Sequence, residues 1–188
     1  MNDRTADLTR DLTSADIEYH VLPVPAFPQH TVRIPAGSVT FGVEYRHLDE
    51  DMILEFYGPD SRAAFGNVRP AGMAATVEED GLSLHVFDTE TGHEALRFDC
   101  FDDAPHFHLL HPPTSRNRVY NHDADEHGPL ADWALAQMRA DLRTMVAESG
   151  ATAAAAALDD AQVAASLDLV EQVARYVHAA GRPVTLPT

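Results

Sequence analysis

Two stretches of alternating apolar residues, Leu82 to Val86 and Leu96 to Cys100, flank the turn sequence Thr89-Glu90-Thr91-Gly92-His93. No other feature of the chain restricts its fold as sharply. The turn suits a three-residue hairpin loop, a type I turn closed by Gly92 in the left-handed conformation. It sets Val86 opposite Leu96, Leu84 opposite Phe98 and Leu82 opposite Cys100. One face is then wholly apolar. A one-residue slip would mix the faces, so pattern and turn specify the same register. The other face carries Ser83, His85, Phe87, Ala95, Arg97 and Asp99, with His85 across from Arg97.

Asp102-Asp103-Ala104-Pro105 reads as a turn, and His106-Phe107-His108-Leu109-Leu110 as a returning third strand. Keeping Phe107 and Leu109 on the apolar face puts His106 and His108 on the face that holds Asp99 and His85. The apolar pattern selects this register without reference to the histidines. Two histidines at i and i+2 of a strand point the same way, with Cα atoms roughly 6.5–7 Å apart, a spacing able to grip one metal ion. With Asp99 they make a two-His, one-carboxylate set that suits a divalent transition metal (Zn, Fe or Mn) with positions left open. His85 stands as a fourth ligand or as catalytic acid or base, and Arg97 as the group that orients an anionic molecule. Asp102 or Asp103 can hydrogen-bond a ligand imidazole. His111 falls on the opposite side of an ideal strand and joins the metal set only if Pro112 bends the chain. The same residues also suit a structural cluster on the wet face of an antiparallel sheet.

Elsewhere the signals are local. Residues 1–16 lack periodicity and read as a flexible N-terminal arm. Ile17 to Leu22 reads as a strand ending at Pro23. Val32 and Ile34 alternate as far as the Pro35-Ala36-Gly37 turn, and Val39, Phe41, Val43 and Tyr45 alternate with Thr40, Gly42, Glu44 and Arg46. Period two marks half-buried strands. Met52 to Tyr57 reads as a further strand after an Asp49-Glu50-Asp51 turn, and residues 58–76 as a long connection able to cover a site. Thr114 to Gly128 reads as a polar loop holding His122 and His127, without the spacing of a calcium-binding EF loop. One helix is expected from Pro129 to the stop at Gly150, and another from about Asp159 to Ala180. The expectation is an α+β fold, an antiparallel β-sheet of hairpins and meander followed by two C-terminal α-helices. Residues 17–150 form its sheet and first packing helix, and residues 151–188 an Ala-rich joint and C-terminal helix of the same domain.

Composition removes several function classes. An apolar fraction of 45% and a charged fraction of 23% are those of a globular chain with a core. A net charge of −17 argues against nucleic acid or an anionic membrane as partner, since phosphates demand a basic patch. Cys100 is the single cysteine, which excludes an intramolecular disulfide and a thiolate-only zinc site. It falls on the apolar face, as a core residue. No Gly-x-Ser-x-Gly elbow or Gly-rich phosphate loop is present. The N-terminus has no apolar targeting segment, and the Ala153–Leu158 run is far too short to span a bilayer, so the chain reads as cytoplasmic. Two amphipathic helices favour a homodimer.

The block Leu96-Arg97-Phe98-Asp99-Cys100-Phe101-Asp102-Asp103-Ala104-Pro105-His106-Phe107-His108 resembles the signature of an uncharacterised prokaryotic domain family, and the helix from Trp133 to Val146 is similar too. That resemblance covers about residues 80–148 and implies no activity. The His-x-His on a strand and Val32-Arg33-Ile34-Pro35-Ala36-Gly37 resemble cupins, but no Glu follows His108 at the cupin spacing. The hairpin, His-rich turn and helix also resemble small toxins of toxin–antitoxin pairs, whose nuclease-like chemistry fits poorly with an acidic chain. Two functions stay open. One is a metal-dependent enzyme acting on a small, anionic molecule. The other is a non-catalytic accessory subunit that binds a protein partner, with structural histidines.

Overall fold

A computed structural model describes residue 12, residues 14–58 and residues 78–184. The 58–76 connection beyond Gly58, and most of the N-terminal arm, lie outside the described residues. Seven antiparallel strands form one sheet: β1 (Ile17–Tyr19), β2 (Val32–Ala36), β3 (Val39–Asp49), β4 (Glu78–Asp88), β5 (Glu94–Phe101), β6 (His106–His111) and β7 (Arg116–Asn121). Their spatial order is β1-β7-β6-β5-β4-β3-β2, a meander closed at its far edge by β1. The helices are α1 (Glu50–Tyr57), α2 (Ala124–His127), α3 (Leu130–Ser149), α4 (Thr152–Ala156) and α5 (Asp160–Ala180). An α+β fold on an antiparallel sheet is what the pattern of strands and then helices implies.

The hairpin register is the expected one. Val86 faces Leu96, Leu84 faces Phe98, Leu82 faces Cys100 and His85 faces Arg97, with Gly92 at φ +71°. In β6, Phe107 faces Phe98, and His106 and His108 face Asp99 and Arg97. One detail differs. A bulge between Val86 and Phe87 pairs Phe87 with Glu94, leaving Ala95 to pack into the main core. Glu94, not Ala95, therefore occupies the polar face.

Helices α3 and α5 cover the apolar face, α3 over β5 and β6 and α5 over β2, β3 and β4. Phe107 sits at the centre, its ring 4.8 Å from Tyr120, 5.2 Å from Trp133 and 5.6 Å from Phe98. Gly150 ends α3 in the left-handed conformation at φ +104°, and Asp159 caps α5 by accepting from the amides of Ala161 and Gln162. Cys100 is half-buried against this core. Among the described residues, no helix is long and apolar enough to cross a membrane.

Two expectations are corrected. Met52 to Tyr57 is not a strand but the body of α1. Asp49 Oδ1 accepts from the Met52 amide at 2.8 Å, and Glu50 and Asp51 fill the first turn, where the helix dipole favours carboxylates. The apolar run then packs at helical spacing: Met52, Ile53 and Tyr57 lie against Val24, Leu48 and Phe101. Thr114 to Gly128 is not all loop. Ser115, at φ +55°, turns the chain into β7, whose Tyr120 stacks on Phe107 with 8° between the ring planes. Besides the two long C-terminal helices, the chain also forms the short α1, α2 and α4.

The polar face of the sheet is covered too. The segment between β1 and β2 crosses it: the Val24 carbonyl accepts from Arg46 Nη2 at 2.9 Å and Arg97 Nη1 at 2.8 Å. Glu44 Oε2 accepts from the Phe27 amide at 3.0 Å and the Thr31 hydroxyl at 2.7 Å. The face expected to be wet is largely dry.

Candidate metal centre

Asp99 on β5 and His106 and His108 on β6 each direct one ligand atom at a common point, and these atoms lie within 4.8 Å of one another. His108 Nε2 is 3.2 Å from Asp99 Oδ2, and His106 Nε2 is 3.7 Å from it. The adjoining strands bring this about by register alone, since i and i+2 of β6 share a face with the residue opposite.

The remaining polar atom of each residue is already engaged. Ser83 Oγ donates to Asp99 Oδ1 at 2.6 Å. His106 Nδ1 lies 2.8 Å from the Ala104 carbonyl, so that nitrogen carries the proton. His108 Nδ1 lies 2.8 Å from Asn117 Oδ1, with the same consequence. Both imidazoles are thus held as the tautomer with a free Nε2 lone pair, as supporting groups hold metal-binding histidines elsewhere. The buried His108 Nε2 has no hydrogen-bond partner. Burial disfavours charge on His108 and pulls its pKa down, which keeps the ring neutral and available as a ligand. Burial would raise Asp99, but the close His108 ring and the charges of Arg97 and Arg46 outweigh it and hold the carboxyl well below its ordinary range. Two imidazoles and one carboxylate, with no thiolate among them, suit Zn, Fe(II) or Mn better than Cu(I).

The other sequence-named residues stand differently. His85 is 1% exposed, between two carboxylates: Nδ1 is 2.6 Å from Glu94 Oε1 and Nε2 is 3.3 Å from Glu44 Oε1. Burial alone would lower its pKa, but Glu94 and Glu44 reverse that and raise it. The ring is thus held between two carboxylates and contributes no atom to the convergent set of Asp99, His106 and His108. Arg97 is equally engaged, its Nε and Nη2 on Glu94 and its Nη1 on the Val24 carbonyl. His111 stays outside the triad, because its Nδ1 meets Thr114 Oγ1 at 2.7 Å beside the Pro112–Thr114 turn. Asp102 and Asp103 are exposed, and the Ala104 carbonyl, carried by a backbone at φ +50°, takes the role expected of them. His122 bonds the Gly128 carbonyl through Nε2 and packs on Trp133. His127, its neighbour at 5.8 Å between ring centroids, likewise stands apart from the triad.

Behind the triad runs a buried charged row that the sequence reading did not assemble: Glu44, Arg46, His85, Glu94 and Arg97. Glu44 and Arg46 are 0% exposed and pair at 3.1 Å. Their alternation on β3 was legible, but their place opposite Ser83 and Gly81 depends on a β3–β4 register. No tight turn joins those strands to fix it. Glu94 needed the bulge, which no turn signal announces.

Two expected results arise here. Asn117→Leu removes the acceptor that fixes the His108 tautomer, and metal affinity should fall about 10- to 100-fold, read by competition with a chromophoric chelator. Unchanged affinity would mean that His108 is not a ligand. The second concerns pH. Burial would raise Glu94, but Arg97 and His85 hold it far below the carboxylate range, so its stabilisation is complete above about pH 5 and is lost on acidification below that. His85 is raised, so its stabilisation is complete below about pH 6.5 and is lost as pH climbs through its folded value. Urea midpoints should rise towards about pH 6.5, because the lowered His108 costs stability on its acid side, and fall from there to about pH 8, and His85→Gln should lack most of that fall. A wild-type midpoint that rises from neutral to alkaline pH would contradict the clamped imidazolium.

The sequence matches the family described as "Domain of unknown function (DUF7700)" over residues 33–174. The chain belongs to the DUF7700 family. The DUF7700 match is wider than the 80–148 block and takes in β2 to most of α5, with the triad and the whole charged row. The β1 strand and the covering segment before Val32 fall outside it. No curated protein and no solved structure matched the chain.

Proposed function

We propose that this chain binds a divalent transition metal through Asp99, His106 and His108 and acts on a small molecule at the coordination positions they leave free. The observation that carries the reading is the division of labour at each ligand. One polar atom is held by Ser83, Ala104 or Asn117, and the other is free and convergent. The His108 Nε2 is buried without a hydrogen bond, 3.2 Å from Asp99 Oδ2, as a ligand nitrogen beside a ligand oxygen would be. A cation between the two resolves that arrangement.

Hydrolysis, lyase chemistry and oxygen activation all use a two-His, one-carboxylate set, so the metal itself selects among them. The deciding experiment is metal content by mass spectrometry on untagged protein purified without chelator. Near-stoichiometric zinc, iron or manganese is the expected result. A clean absence that persists after each metal is offered back would overturn the proposal and favour the accessory-subunit reading, whose next step is recovery of a protein partner.

A further inference from the structure

We infer that the Asp99–His106–His108 centre takes its metal together with a small exogenous anion, each raising the affinity of the site for the other. The inference rests on the metal reading above and comes from charge balance. Three carboxylates, Glu44, Glu94 and Asp99, are sequestered with two guanidiniums, Arg46 and Arg97, and the ring of His85. Both nitrogens of that ring face carboxylates, at 2.6 and 3.3 Å, and two flanking negative charges favour the imidazolium. The group is therefore neutral before any ion arrives. His106 and His108 add no charge when they ligate.

A divalent ion on Asp99 then brings two uncompensated positive charges beside side chains that are 4% (Asp99) and 6% (His108) exposed. In so dry a place unbalanced charge is costly. An anion on an open coordination position halves the excess. His106, at 19% exposed, is the most open of the three side chains and marks the side of entry. The chain's net charge of −17 repels polyanions, so the ligand is small and singly charged, with an oxygen or nitrogen donor such as a carboxylate. Linkage makes the effect reciprocal: whatever the anion does for the metal, the metal does for the anion.

Co(II) is the probe, because its visible spectrum reports its coordination. The protein is titrated with Co(II) in a non-coordinating perchlorate buffer, then with sodium azide added at equal ionic strength. Co(II) should bind in both, at least about tenfold tighter with azide, a coupling in the usual allosteric range, and the visible bands should shift saturably. His85→Gln removes one positive charge, so it should tighten Co(II) without azide and shrink the azide effect. Circular dichroism checks its fold, and should it fail to fold, the azide titration of the native chain decides alone. Equal affinity in the two buffers with an unshifted spectrum overturns the anion and leaves the metal site standing. No Co(II) binding in either buffer overturns the metal reading and this inference with it.

Discussion

Replacing His106 and His108 together with Ala is expected to abolish stoichiometric metal retention while the chain still folds. His106 lies partly in solvent and its truncation leaves little behind. Removing His108 leaves the buried Asn117 without its partner, at a cost of about 1–3 kcal/mol. That is a fraction of the roughly 5–15 kcal/mol that holds an ordinary domain together, so a cooperative urea transition should survive. His111→Ala is the control. Its ring is outside the triad, and its removal should leave metal content unchanged. Unfolding of the double variant with no prior difference in metal content would turn the histidines into structural residues and remove the basis of the proposed function.

The largest loss of stability is expected from Glu94→Ala. Its carboxylate accepts from Arg97 Nε at 2.8 Å, Arg97 Nη2 at 2.6 Å and His85 Nδ1 at 2.6 Å. Without it, a guanidinium and an imidazolium, each 1% exposed, lose their nearest counter-charge. Breaking a buried pair from one side costs about 3–5 kcal/mol, because the partner stays behind desolvated. Glu171→Ala makes the contrast. That residue of α5 pairs with Arg139 of α3 and Arg175 of α5 at the surface, and such solvent-accessible pairs are worth about 1 kcal/mol at most. Equilibrium unfolding of both variants under one set of conditions checks the ranking. Equal losses would show that the buried row is no more cohesive than the surface.

How much of this was legible in the sequence follows from the range of each signal. The β4–β5 hairpin and the β6 return were readable because period-two alternation and one left-handed glycine act over a few residues. They alone brought Asp99, His106 and His108 together. What failed depended on longer or subtler effects. An Asp49 cap turned an apolar hexamer into a helix. A bulge exchanged Ala95 for Glu94. Asn117, the partner of His108, sits in a stretch too polar to suggest a strand, and the stacking of Tyr120 on Phe107 is a tertiary contact. The roles given to His85 and Arg97 followed from their residue types, whereas their partners Glu44 and Glu94 were fixed by tertiary pairing.

The covering segment has a consequence for the order in which the chain assembles. β1 pairs with β7, so Ile17 meets Val119 across about a hundred residues, and this edge cannot form until the meander has been completed. Closing so long a loop is entropically slow, while the hairpins from β4 to β7 need only local contacts. The segment between β1 and β2 is tied at one end to that late edge. Water therefore keeps access to Glu44, Arg46 and Arg97 until the last stage, and the ion pairs are sealed only after their geometry has been set by the strands beneath them.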